Sequence, residues 1–345
     1  MSRREIPLDA TPRLVEPTPI ASELREEADL RPRIIDEFIG QADLVAHLRI
    51  MLTAAKQRGQ VADHVLFAGP PGLGKTSLAG IVASEMGVGL RLTSGPILTR
   101  PGDLAAILTD LQEGDVLFID EIHRLPRQVE EVLYPAMEDR RLDVLVGRGP
   151  SARSIRLELP SFTLVGATTR TGLVAAPLRD RFGFVGRLDL YDERDLSAIV
   201  ARSAALLDYQ IDESGAGEIA RRSRGTPRIA NRLLRRVRDV AQIEESSTIT
   251  GDIARSALTT FGVDMRGLDK VDRALLTYLC THGDGRAVGL VTLAQVVGEE
   301  PHTIEEAYEP FLIREGLVAR TPRGRVATDA AYEHMALKRP GGGLL

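Results

Sequence analysis

Gly69-Pro-Pro-Gly72-Leu-Gly74-Lys75-Thr76 is the stretch that decides how this sequence folds. It fits G-x-x-x-x-G-K-[ST], follows the apolar run His64-Val-Leu-Phe-Ala68 and opens a helical pattern over 77–85, the strand–loop–helix setting such a motif requires. The glycines let backbone N–H groups curl round phosphate oxygens. Lys75 brings a point charge to the β and γ phosphates, and the Thr76 hydroxyl, beside Ser77, is placed to ligate Mg²⁺. The expected ligand is ATP, held by Gly72, Gly74, Lys75, Thr76 and Ser77.

Outward from the loop, a second apolar run, Asp115-Val-Leu-Phe-Ile-Asp120, ends in the acidic pair Asp120-Glu121. Beside a phosphate loop, Asp120 would hold Mg²⁺ and Glu121 would orient and polarise an attacking water. The neighbouring His123 carries little information alone and reads as structural. Thr163-Leu-Val-Gly-Ala167 is a third buried run, and an amphipathic helix covers 44–55. Apolar strands alternating with helices predict a parallel α/β sheet covered on both faces. The runs 142–146 and 155–159 flank a Gly/Pro/Ser segment and predict a hairpin.

After Tyr191 the strands stop. Helical periodicity over 192–206, 213–222, 227–241 and 252–258 predicts a small all-helical domain. Beyond 267, three helical stretches precede two short β-like runs around Thr-Pro-Arg-Gly, the order of a winged helix. The expected organisation is a flexible arm over 1–28, a large P-loop domain over 29–191, a helical lid over 192–263 and a winged-helix head over 264–345. The Pro- and Gly-containing tail from Arg339 reads as disordered.

Composition closes other doors. In 345 residues, 43% are hydrophobic and 27% charged, a globular balance. No apolar run reaches the roughly 18–20 residues of a membrane span, and the N-terminus lacks a secretory apolar core. The lone Cys280 makes no internal disulfide, so a reducing, cytoplasmic setting is expected. A net charge of −5 and the absence of Trp argue against a uniformly basic surface or a base-stacking platform.

Asp120-Glu-Ile-His-Arg-Leu125, Gly166-Ala-Thr-Thr-Arg170 and Gly225-Thr-Pro-Arg228 resemble the motifs of AAA+ ATPases. With Leu30-Arg31-Pro32 and Pro177-Leu-Arg-Asp-Arg-Phe-Gly183, their wording is similar to the bacterial RuvB family, ATP-driven motors of Holliday-junction branch migration, over about 30–326. The resemblance implies a homo-hexameric ring on duplex DNA, a RuvA-type junction-binding partner docked on the 142–159 hairpin, and a RuvC-type resolvase. It implies that Thr169 is the γ-phosphate sensor, with Thr168 the alternative, and that Arg181 is an arginine finger acting in trans, with Arg179 its rival. Arg228 would be the second sensor, on the lid. Leu30, Arg31 and Tyr191 would embrace the adenine, and Glu138, Asp139 and Arg140 would lie near nucleotide. The family usually carries an aromatic or apolar residue where Arg140 stands.

Four arginines (314, 320, 323 and 325) against the single acid Glu315 mark the wing. Arg320 and Arg325 flank its turn and match the family's DNA-contacting positions, with Arg323 between them. With no aromatic or amide there to read a base edge, contact to phosphates without sequence preference is expected. Glu305, Glu306 and Glu309 would face away from the core on the preceding helix and repel a phosphate backbone, unlike the reading helix of a transcription factor. Segment 221–238 carries eight arginines and no acid among them; solvated helix faces are the favoured reading over a nucleic-acid surface. The alternatives to a motor are a clamp-loader or initiator-type ATP switch and a protein unfoldase. The residues after the second strand, Ser94-Gly-Pro-Ile-Leu-Thr-Arg100, lack the aromatic of an unfoldase pore loop, and a full set of Glu121, Thr169 and Arg181 favours turnover.

Overall fold

A computed structural model describes Leu14, Val15, Glu27 and residues 29–146, 153–283 and 285–339. The expected arm lies almost entirely outside the described residues, as do the hairpin tip and the tail beyond Arg339. The chain forms two compact units, Arg25–Tyr191 and, with Met1–Leu24, Asp192–Leu345.

The first unit is built on β1 (Val65–Ala68), β2 (Leu90–Ser94), β3 (Val116–Asp120), β6 (Thr163–Thr168) and β7 (Phe184–Arg187), all parallel, in the order β2-β3-β6-β1-β7. β1 and β6 are buried throughout and β3 up to Asp120, as expected of strands covered on both faces. β2 and β7 are the edges; the exposed Val185 and the mixed burial of β7 explain why its sequence carries no strand signal. Helices α1 (Ala42–Arg58), α2 (Lys75–Met86), α3 (Pro101–Thr109), α4 (Arg127–Asp139) and α5 (Ala176–Arg179) complete the unit. α4 buries Val129, Leu133, Ala136 and Met137, a helical-period stripe, in the cluster that also holds Leu117, Ile119 and Leu164. The expected hairpin is present as β4 (Arg141–Val146) paired antiparallel with β5 (Arg153–Glu158).

In the second unit α6 (Glu193–Leu206), α7 (Glu213–Arg221), α8 (Pro227–Ile243) and α9 (Gly251–Thr260) form the helical lid. Two-residue strands β8 (Gln210–Ile211) and β9 (Thr248–Ile249) pair in parallel there, too short to register in the sequence pattern. Of the arginines in 221–238, Arg222, Arg224, Arg232 and Arg235 are buried, so much of that cluster is internal rather than a solvated face. Arg222 donates to Val263 O (2.8 Å) and Glu218 Oε1 (2.5 Å).

The winged helix follows: α10 (Lys270–Thr281), α11 (Leu290–Val297), α12 (Pro301–Thr303), a π-helical turn over Ile304–Tyr308, α13 (Glu309–Arg314), β10 (Val318–Thr321), β11 (Gly324–Ala327) and α14 (Asp329–His334). Val288 adds a third, bridging position on β11 through reciprocal bonds with Arg325, and Gly324, at φ 140°, is required because a Cβ would fall 2.3 Å from Val288 O. Lid and head are joined inside this unit. The Arg224 guanidinium lies between Asp272, with which it forms a buried ion pair, and the Phe311 ring 4.2 Å away, and its Nε donates to Gly267 O at 2.8 Å.

Candidate nucleotide site

The loop Gly69–Thr76 leaves the C-terminal end of β1. Gly69 sits at φ 147° with its missing Cβ 2.4 Å from Leu188 O, and Gly74 sits at φ 106° at the start of α2, facing the Phe38 ring. Only glycine accepts both conformations, and they turn the backbone so that the N–H groups of 72–76 can converge on an anion at the helix N-terminus. Lys75 is 8% exposed and its ammonium donates to the carbonyls of Gly69 and Pro70 (2.8 and 2.7 Å), which holds it over the loop mouth. Thr76 and Ser77 follow in the first turn, half-buried.

The segment before α1 passes over this helix: Ile35 N–H donates to Glu85 Oε1 at 3.1 Å, and Phe38 packs on Gly74. Tyr191 is buried and its hydroxyl donates to Leu73 O at 3.1 Å. Leu30 is buried and Arg31 half-buried on the same unit. Phe38 had no sequence signal; a lone aromatic in an irregular stretch announces nothing until the fold sets it against the loop.

β3 delivers Asp120 and Glu121 to the same, C-terminal edge of the sheet as the loop. Asp120 Oδ1 accepts the Glu121 N–H at 2.9 Å, and Glu121 takes the left-handed φ of 47°. Its carboxylate pairs with Arg124 Nη1 at 2.9 Å, both side chains partly solvated. Next door, Thr168 is fully buried at the end of β6, whereas Thr169 is exposed. Thr168 O accepts the N–H of Gly69 (3.1 Å), and Thr168 Oγ1 accepts the N–H of Arg170 and lies 3.0 Å from His123 Nδ1. Burial holds the His123 pKa below the usual imidazole value. His123 is thus more than the inert neighbour its sequence position suggests.

Among the described residues no three His, Cys, Asp or Glu side chains cluster as a metal site. A hydroxyl (Thr76) and a carboxylate (Asp120) at one sheet edge are oxygen donors of the kind that could hold Mg²⁺, an ion that keeps waters and shares substrate phosphates.

Arg181, Glu138, Asp139 and Arg140 gather elsewhere. Arg181 pairs with Glu138 Oε2 (3.0 Å), donates to Pro177 O (2.5 Å) and lies 4.6 Å from the centre of the Tyr134 ring. Arg140 ends α4 at φ 53°. This end of α4 sits at the N-terminal edge of the sheet, because Met137 O lies 3.2 Å from Nε2 of His64, the residue preceding β1, and Phe184 N–H donates to His64 O. The four residues of β1 at about 3.3 Å each put that edge roughly 13 Å from the P-loop edge of the same chain, more than an arginine side chain spans. Arg179 is exposed on the same turn. Arg228 opens α8 in the second unit, half-buried.

At the wing the structure corrects two expectations. Arg320 and Arg325 are cross-strand partners. Arg325 is 9% exposed and forms two bonds to Glu309 Oε2 (2.6 and 3.0 Å), so it does not project from the tip. Glu309 is 4% exposed and faces inward, not outward. The π turn is the physical reason: its wider winding rotates the residues that follow toward the core. Arg320 is exposed but paired with Glu305 at 2.7 Å, and Arg323 stands exposed at the turn.

Three family models match the chain in succession: the Holliday junction DNA helicase RuvB P-loop domain over residues 30–188, the RuvB AAA lid domain over 191–264 and the RuvB C-terminal winged-helix domain over 265–336. The chain is similar to the Holliday junction branch migration complex subunit RuvB of Streptomyces avermitilis, 60% identical over 314 residues, which is 91% of this chain and 88% of the relative. The protein of that name in Rubrobacter xylanophilus is 58% identical, over 94% of this chain and 92% of its own length. Among solved structures, the Thermotoga maritima RuvB Holliday junction branch migration motor superposes with a TM-score of 0.79 at 48% identity, covering 90% of this chain and 99% of the other.

Proposed function

The chain belongs to the RuvB family, and from that premise we propose how its residues divide the work of an ATP-driven motor that moves Holliday junctions. It is an AAA+ P-loop ATPase with a helical lid and a winged-helix domain. ATP binds with its phosphates in the N–H cradle of 72–76 and Lys75 against the β and γ oxygens. Phe38, Tyr191, Leu30 and Arg31 enclose the base side. Thr76 and Asp120 would hold Mg²⁺, which would supply positive charge beside the phosphates. Glu121 swings from Arg124 to orient and polarise the water, whose oxygen bonds to the γ-phosphorus as the bond to ADP breaks. Thr169, exposed at the strand tip, contacts the γ-phosphate or that water, and Arg228 senses it from the lid.

The observation that carries this reading is the two-edged sheet. P-loop, Asp120, Glu121 and Thr169 occupy one edge, while Arg181 with Glu138, Asp139 and Arg140 occupies the other. Each edge is half a site, so a ring in which the second edge of one subunit faces the first edge of the next completes it. Six subunits around duplex DNA is the assembly we assign. Such an arginine in trans contributes roughly 10³–10⁵ in rate.

DNA is held through its phosphates by Arg323, and by Arg320 once Glu305 yields, while Arg325 keeps the wing in place on Glu309. The large domain spans 29–191, the lid 192–263 and the head 264–345. A RuvA-type protein docks on the β4–β5 hairpin, a RuvC-type resolvase follows, and the setting is the bacterial cytoplasm at the nucleoid. Among the described residues no helix is long and apolar enough to cross a membrane. The test is ATP-dependent movement of a synthetic four-way junction, with and without a RuvA-type protein. Movement lost in Glu121→Gln supports the motor; ATPase activity without movement in either condition supports a loader or initiator switch.

A further inference from the structure

Three loops of the nucleotide site meet at one side chain. Thr168 receives the N–H of Gly69, the first residue of the phosphate loop, on its carbonyl. Its hydroxyl receives the N–H of Arg170, closing the turn that presents Thr169, and touches His123 Nδ1 at 3.0 Å. His123 belongs to the single turn Ile122–Arg124 that follows Glu121 directly. That turn starts from a strained residue: Glu121 lies at φ 47°, held by Asp120 Oδ1 on its N–H, by Arg124 N–H on its carbonyl at 2.8 Å, and by Gly95, whose missing Cβ would fall 2.5 Å from Glu121 O. The backbone of Glu121 is therefore fixed from β2 and β3, and the His123–Thr168 bond ties it sideways to β6.

We propose that His123 and Thr168 are a positioning pair that keeps the Glu121 carboxylate and the Thr169 hydroxyl at a fixed spacing about the γ-phosphate and its attacking water. Neither touches nucleotide; each acts through its neighbour. The bond survives either tautomer of the ring, because a hydroxyl both donates and accepts. The placement gives the two adjacent threonines different parts: the buried Thr168, last in β6, clamps the strand end, and the exposed Thr169 just beyond it is left for ligand. The inference rests on the roles proposed above for Glu121 and Thr169.

The test compares full-length His123→Ala, His123→Asn, His123→Gln, Thr168→Val and the double His123→Ala/Thr168→Val variant. The readouts are kcat for ATP with duplex DNA, ADP affinity and thermal unfolding. Loss of either partner is expected to lower kcat roughly 10–100-fold, the scale of a misplaced catalytic group, with ADP affinity changed less than about twofold. The double variant is expected to be no worse than about twofold beyond the poorer single, because one link is broken in both. Asn places its amide where Nδ1 stands and is expected to retain most activity, whereas Gln reaches past it and is expected to behave like Ala. Unchanged kcat in both single variants, multiplicative losses in the double, ADP affinity falling in step with kcat, or Asn as poor as Ala would each overturn the pairing. If His123→Ala fails to fold, the Asn and Val variants decide by the same criteria. Glu121→Gln run alongside separates the layers: near-normal turnover there defeats the underlying assignment, while a dead Glu121→Gln with an unaffected Thr168→Val defeats the pairing alone.

Discussion

Glu121, the residue proposed to polarise the attacking water, divides between local chemistry and placement. Its position after an apolar strand marks it in the sequence, but the left-handed backbone and the pairing with Arg124 belong to the folded turn. Glu121→Gln keeps the shape and the nucleotide contacts and is expected to bind ATP while turnover falls at least about 100-fold, measured as kcat beside ADP affinity. His64 makes a second residue-scale prediction. Its Nδ1 accepts the Leu164 N–H at 2.9 Å and its Nε2 faces Met137 O, and burial lowers its pKa from 6.5. Below pH 6.5 the unfolded chain binds a proton that the folded chain resists, so this contribution is complete above that pH and is lost as pH falls toward the lowered folded value. Thermal unfolding is expected to drop between pH 7.5 and 5.5, and to drop less in His64→Gln.

At the scale of elements the wing divides its arginines by role. Arg323 stands exposed on the turn, its guanidinium without a hydrogen-bond partner among the described residues, so Arg323→Ala is expected to weaken DNA binding alike for all sequences and to reduce the salt slope by about one, with folding unaffected. Arg325→Ala would strand the buried Glu309 carboxylate and is expected to cost about 3–5 kcal/mol of stability, seen as a lowered unfolding temperature before any DNA is added. Equal DNA defects with equal unfolding temperatures in the two variants would reverse that division. The sequence pattern of the preceding helix places Ile304, Ala307, Phe311 and Leu312 on the core, and they are buried. It misplaces Glu309 because an i, i+3, i+4 reading assumes uniform α winding, and the π turn breaks that winding. The arginine-rich lid helices mislead in the same way, since charge counting cannot see that Arg222 and Arg224 are spent on internal partners.

At the scale of the whole molecule, the split of the site between two sheet edges predicts complementation. On the proposed roles Lys75→Ala loses the phosphate contact and Arg181→Ala the finger, so each alone is expected to be nearly inactive. Mixed before ring assembly, they are expected to recover activity at about one site in four, by random neighbour pairing. No recovery would place Arg181 in its own subunit's chemistry. The joint between lid and head is the other molecular-scale element. Asp272 is buried against Arg224, and Asp272→Ala is expected to destabilise the unit by about 3–5 kcal/mol and to divide its unfolding into two steps, followed by calorimetry.

The sequence by itself determined the phosphate loop, the acidic strand end, the parallel sheet, the hairpin and the helical and winged-helix order, because each rests on residue type at short spacing or on a strand or helix period. Tertiary structure alone decided which threonine is buried, that His123 meets Thr168, that Phe38 covers the loop, that Arg325 turns inward, and that Arg181 joins Glu138 at the far edge of the sheet. These pairs lie between 16 and 45 residues apart, as with Arg325–Glu309, Arg181–Glu138 and His123–Thr168. Local periodicity carries no information at such separations; the contacts exist only once strand order and helix register bring the segments together.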